Sequence, residues 1–93
     1  EVANKLLHVA IARDYQDQNP FAWYALGAVY AREGDAHRAA LANAEQYQMT
    51  GQSAMALRSA RVALAGIKQG TPDYLRAQDI EMVARAAMEK DRK

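Results

Sequence analysis

Histidine and acidic side chains are the groups in this chain best suited to chemistry, so their spacing is considered first. The two histidines, His8 and His37, are followed by Val9 and Arg38. Zinc hydrolysis of the HExxH type needs two histidines one helical turn apart, with a neighbouring glutamate as the base. Neither histidine lies in such a motif. We therefore predict that this chain holds no metal and no other cofactor.

Other catalytic patterns are also absent from the sequence. Acidic residues are scattered along the chain, and no spacing suggests a Ser-His-Asp arrangement. No glycine-rich phosphate loop is present, because each glycine falls at a helix end or a packing position. The five glycines are Gly27, Gly34, Gly51, Gly66 and Gly70. The sequence predicts no catalytic residues, and we expect the chain not to be an enzyme by itself.

Composition indicates one small all-α domain. The 93 residues include 21 alanines, which favour helices and allow them to pack closely. A net charge of +1 argues against a nucleic-acid-binding protein. No apolar run approaches the roughly 18–20 residues of a membrane span. The lack of cysteine excludes disulfides and thiolate metal sites but leaves the cellular compartment open.

Helix-breaking and capping residues divide the chain into five predicted helices, over about 2–17, 20–33, 36–49, 53–67 and 72–90. Asn19-Pro20 ends the first and begins the second. Gly34 fits a left-handed C-terminal cap and Asp35 the next N-cap, while Thr71 caps the last helix. The short linkers predict antiparallel neighbours, stacked as a solenoid or a bundle.

Residues 20–39 resemble the front half of a tetratricopeptide repeat, a helix-turn-helix unit of about 34 residues. The spacing W-x2-L-G-x2-Y, followed by a glycine and an alanine, carries the resemblance. These signature residues are Trp23, Leu26, Gly27, Tyr30, Gly34 and Ala39. The three bulky residues share one helical face and are expected in the core. The small Gly27 and Ala39 are expected to let the two helices approach closely.

A weaker copy of the signature begins 17 residues later. Its members repeat the offsets of the first: Ala44, Tyr47, Gly51 and Ala56. Seventeen is half a repeat, so the register of a second unit stays open. The chain also departs from the repeat pattern, which places a bulky aromatic residue where Asn43 and Ala60 stand. The resemblance favours a solenoid of about five antiparallel helices.

The repeat resemblance also implies a binding groove. The first helix of each repeat lines the concave face, and Tyr24, Ala28 and Arg32 occupy the positions that usually face a bound peptide. Arg58 and Arg61 lie three residues apart and form a basic strip suited to an acidic peptide or a terminal carboxylate. The alternative is that this strip is an ordinary solvated helix face.

A narrower resemblance covers more of the chain. The segments NPFAWYALGAVYAREGD, AALANAEQYQMTGQSAMAL and GTPDYLRAQDI are similar to the C-terminal repeat region of bacterial Ste24-like zinc metalloproteases of the BepA type. The matching residues are Ala44, Glu45, Tyr47, Gly51, Pro72, Leu75, Arg76, Ala77, Asp79 and Ile80. This resemblance implies a periplasmic, cell-envelope protein with a catalytic zinc domain upstream. The tail of such a protein engages substrates or outer-membrane assembly components.

Two functional hypotheses follow. The first is a noncatalytic protein-protein interaction module that binds a protein or peptide partner in its groove. In this hypothesis the module is the tail of a longer metalloprotease chain. The second is a structural helical domain that packs on an upstream domain or self-associates, because terminal repeats without polar caps expose apolar surface. The sequence does not name the partner or fix the oligomeric state.

Overall fold

The computed structural model describes residues 19–91, and the regular structure in this range is entirely helical. The four helices are α1 (Pro20–Arg32), α2 (Ala36–Met49), α3 (Ser53–Gly66) and α4 (Pro72–Asp91). The predicted all-α class is confirmed for this range, where each helix starts and ends within one residue of its predicted bounds. The helix predicted over 2–17 lies outside the described residues. No helix within 19–91 is both long and apolar enough to cross a membrane.

Three of the helices begin with a side chain that accepts a hydrogen bond from the first turn. Such a cap satisfies backbone N–H groups that have no partner inside the helix. The caps are Asn19 with the Phe21 amide at 3.0 Å, Asp35 with the Arg38 amide at 3.0 Å, and Thr71 with the Tyr74 amide at 3.2 Å. Local sequence therefore fixes where α1, α2 and α4 start.

Two glycines with left-handed backbone end α1 and α2. Gly34 has φ +81° and Gly51 has φ +75°, a region that side chains with a Cβ rarely adopt. After Gly34, the Asp35 amide donates to the Tyr30 carbonyl at 2.9 Å, which closes a Schellman motif. The predicted left-handed cap at Gly34 is confirmed, and each reversal leaves the next helix antiparallel to the last.

Helix α2 lies at the centre of the described fold and contacts each of the other three helices. Together α2, α3 and α4 enclose a core in which small side chains predominate. It contains Ala40, Leu41, Ala44, Ala56, Leu57, Ala60, Ala63, Ile67, Ala77, Ile80 and Ala84. Within residues 19–91, the α1 backbone approaches that of α2 but not that of α3 or α4. The short alanine side chains allow the helix axes to come close together.

The contact between α1 and α2 is built around Gly27. A Cβ on this glycine would lie 2.8 Å from Oδ1 of Asn43 and 3.5 Å from the Ala39 carbonyl oxygen, so the predicted close approach is confirmed. Asn43 fills the position where a repeat would carry a bulky aromatic residue. Leu26 is buried as predicted, but Trp23 and Tyr30 are only partly buried because their rings line a cleft.

The contact between α2 and α3 includes a second glycine that leaves room for a ring. The space that a Cβ on Gly66 would occupy is filled by the imidazole of His37, which is partly buried. His37 therefore packs between helices, as expected for a histidine outside any metal-binding motif.

Candidate functional site

A cleft of about 330 Å³ separates α1 from α4, with α2 as its floor. Its lining combines apolar rings with charged groups. The lining residues are Trp23, Leu26, Tyr30, Arg38, Leu41, Ala42, Glu45, Pro72, Asp73 and Arg76. Three bulky residues of the repeat signature thus face a cleft that the charged residues of α2 and α4 complete.

Glu45 and Arg76 form a bidentate ion pair in this cleft. Nε of Arg76 donates to Oε2 of Glu45 at 2.5 Å, and a second guanidinium nitrogen donates to Oε1 at 2.6 Å. The Glu45 residue is only 4% exposed. Both carboxylate oxygens therefore accept hydrogen bonds from one guanidinium, and the pair joins α2 to α4 across the cleft.

Arg38 makes a second link between the same two helices. Its Nε donates to Oδ2 of Asp73 at 2.8 Å, and Nη1 donates to Oδ2 of Asp35 at 3.1 Å. The hydrogen bond to Asp73 is the main reason why the pKa of Arg38 is raised above its ordinary value. Burial, reinforced by the negative charge of Asp73, raises the pKa of the nearby Tyr30 phenol.

These pairings give the cleft a structural character. Its acidic side chains are engaged by arginines. Among residues 19–91, no three His, Cys, Asp or Glu side chains are grouped closely enough to hold a metal ion. The arginines of the cleft tie α2 to α4.

A second surface lies on the outer side of α1. Phe21 is 71% exposed and Tyr24 is 56% exposed, and their rings stack with centroids 6.3 Å apart and planes at 29°. Ala28 and Arg32 follow at four-residue intervals and are also exposed. We call Phe21, Tyr24, Ala28 and Arg32 the aromatic face. Two large aromatic side chains left in solvent are unusual in a chain with so few aromatic residues.

Sequence reasoning named Tyr24, Ala28 and Arg32 but missed Phe21. The signal was present, because Pro20 fixes the start of α1 and Phe21 stands three residues before Tyr24. Residues at that spacing are neighbours on a helix surface. The aromatic face is therefore larger and more apolar at the N-terminal end of α1 than predicted.

Arg58 and Arg61 lie together on another surface, formed by α3 with the end of α4. They line a shallow depression of about 530 Å³, the α3–α4 hollow, composed of Ala54, Leu57, Arg58, Arg61, Val62, Ala65 and Met88. Within the described range the α1 backbone does not approach that of α3, and the five predicted groove residues fall on two separate surfaces. The structure brings the two arginines together, but it does not join them to Tyr24.

The residues of the second, weaker signature lie in the core, against it, or at a helix end. Ala56 is fully buried in the core, Tyr47 packs against that core, and Gly51 ends α2. The repetition after 17 residues thus reflects the similar endings of α1 and α2.

Comparison with known proteins gives no relative for this chain. No family model matches it, and no curated protein or solved structure matches it either. The likeness to tetratricopeptide repeats and to envelope metalloproteases therefore depends on the motif residues alone.

Proposed function

We propose that this chain is a noncatalytic protein-protein interaction module whose main binding surface is the aromatic face of α1. The observation that carries the proposal is the stacked pair of exposed rings, Phe21 and Tyr24. Aromatic side chains contribute large contact areas at a low cost in conformational entropy, and they dominate binding energy at protein interfaces. Ala28 extends the surface without obstructing a partner, and Arg32 adds a charge at its far end.

A repeat-like organisation is the architecture we propose for this module. Helix α3 begins 33 residues after α1, and α4 begins 36 residues after α2. Both spacings are near the 34-residue period of tetratricopeptide repeats, which supports an α-solenoid in which alternate helices occupy equivalent positions. The register of the units stays open, because the two spacings fit either pairing of consecutive helices.

The cellular location and the parent protein are a further part of the proposal, and they derive from the sequence resemblance. We infer a periplasmic tail of a longer zinc metalloprotease chain that engages substrates or outer-membrane assembly components. An HExxH helix encoded upstream of Glu1 in the gene would support this origin. An upstream sequence without any metalloprotease motif would contradict it, while leaving the binding role of the aromatic face untouched.

Peptide selection tests the binding role directly. Random peptides displayed on phage are selected on the immobilised domain, and the recovered sequences are titrated by fluorescence anisotropy. Truncating a central aromatic residue at an interface typically costs at least about 2 kcal/mol, so Tyr24→Ala and Phe21→Ala are expected to weaken binding roughly thirtyfold. Leu75→Ala is the matched control, because Leu75 is an exposed apolar residue on α4. Equal affinity in all variants would show that the aromatic face does not bind the selected peptides.

A structural role is the second candidate, favoured by the outer side of α4. Leu75, Met82 and Val83 are all exposed there, which leaves an apolar strip on the last described helix. Such a strip suits packing on another domain or on a second copy of the chain. Sedimentation at increasing concentration separates the candidates: a dimer that Met82→Ser disrupts supports the structural role, and a monomer at every concentration favours the binding module.

A further inference from the structure

The α3–α4 hollow combines an apolar floor with a basic rim. Leu57 is buried at its base, while Val62 is 47% exposed and lies in the hollow with Ala65 and Met88. Arg58 and Arg61 project from the same helix beside these apolar groups. An exposed valine next to two arginines offers both apolar and ionic contacts to a single ligand.

The lining of the hollow carries two arginines and no acidic side chain. Nε of Arg61 lies 3.6 Å from Oε2 of Glu81, and the same oxygen lies 3.1 Å from Nη1 of Arg85. Glu81 is thus shared between two guanidinium groups. Arg58 has no acidic partner within residues 19–91. Among the described ion pairs, the only acidic partner of the hollow's arginines is Glu81, which pairs with Arg61 and is shared with Arg85, so the arginine rim is complementary to an acidic ligand.

We propose that the α3–α4 hollow binds a short acidic segment of another protein, with one apolar side chain seated on Val62 and Met88. Carboxylates flanking that side chain would accept hydrogen bonds from Arg58 and Arg61, whose planar guanidinium groups suit bidentate pairing. The inference rests on the proposed role as an interaction module but concerns a surface separate from the aromatic face. Apolar contact and charge act at the same point, which distinguishes the hollow from a merely solvated basic helix.

Two synthetic peptides test this site. Both are amphipathic, about a dozen residues long, labelled with fluorescein, and carry leucine at helical spacing. One has glutamate at the remaining positions and the other has lysine. Anisotropy titration of the whole chain at low salt is expected to show saturable binding of the glutamate peptide only. Its affinity should fall as salt is raised, because the ion pairs are exposed to solvent.

Single-residue variants show whether the glutamate peptide binds in the α3–α4 hollow. Arg58→Ala is expected to weaken the glutamate peptide about tenfold, consistent with loss of one charge-assisted contact. Val62→Glu is expected to abolish binding. Lys68→Ala is the control and should have no effect, because Lys68 is an exposed cation that belongs neither to the lining of the hollow nor to the aromatic face. Circular dichroism of each variant checks that the helices are retained, and Arg58 and Val62 are both exposed enough to be changed without loss of the core.

Three results would overturn the proposal: no binding of the glutamate peptide, equal binding of both peptides, or equal weakening by Lys68→Ala and Arg58→Ala. These outcomes are separable from failure of the proposed function. If peptides selected on the domain still depend on Tyr24 while the glutamate peptide does not bind, the hollow proposal fails and the aromatic face stands.

Discussion

Removing the guanidinium of Arg76 is the sharpest perturbation of the described fold. Arg76→Ala deletes two charge-assisted hydrogen bonds and leaves the Glu45 carboxylate, on a residue only 4% exposed, without that partner. Breaking a fully buried pair from one side costs about 3–5 kcal/mol. The Arg76 side chain is 45% exposed, so water replaces part of the lost interaction. We therefore expect a loss of about 2 kcal/mol in the free energy of unfolding.

Urea denaturation followed by far-ultraviolet circular dichroism measures this loss. The matched control is Arg85→Ala, on the same helix. Arg85 pairs with Glu81, and the Arg85 side chain is 50% exposed to solvent. Its expected cost is within about 0.5 kcal/mol. A double-mutant cycle supplies the stricter test: in a Glu45→Ala background no buried charge remains, so Arg76→Ala should cost much less. Equal costs for the two arginine variants, or no coupling in the cycle, would refute the reasoning.

Three further changes test other parts of the structure. Gly34→Ala forces an L-residue to φ +81° and is expected to cost about 1 kcal/mol in urea denaturation; an unchanged midpoint would contradict the left-handed turn. Gly66→Ala places a methyl group against the His37 ring and is expected to cost about 1–3 kcal/mol, most of which His37→Ala in the same chain should restore. No recovery in that double variant would rule out the contact. The raised pKa of Tyr30 means that its contribution to stability is complete below about pH 10, where the unfolded phenol is neutral, and is lost as the pH rises through the higher folded pKa. Tyr30→Phe should therefore reduce the alkaline loss of stability in denaturation at a series of pH values; the same loss in both proteins would show that another group causes it.

Helix ends were predictable because their chemistry acts within a few residues. Asp35 accepts a hydrogen bond three residues ahead, and Gly34 adopts a backbone conformation that other residues resist. Both effects need only the local sequence. The close approach at Gly27 was predictable for a similar reason, since an absent side chain leaves space wherever the neighbouring helix lies.

Contacts between residues that are distant in sequence could not be predicted from local sequence. Arg76 stands 31 residues after Glu45, and Asp73 stands 35 residues after Arg38. Their pairing depends on how α4 is rotated against α2, which the packing of the alanine core decides. Amphipathic spacing alone identified Tyr24 as exposed but gave no reason to separate it from Arg58. That separation arises because, within the described range, the α1 backbone lies close to α2 and not to α3.

The central claim is that the aromatic face of α1 is where this chain binds another protein. Amide chemical-shift mapping of the whole chain with a peptide selected on it tests the claim most directly. The account predicts that the largest shifts occur along the exposed side of α1 around Phe21 and Tyr24, and that Tyr24→Ala abolishes them. Shifts confined to the outer side of α4 around Met82, or shifts that persist in the Tyr24→Ala variant, would contradict it.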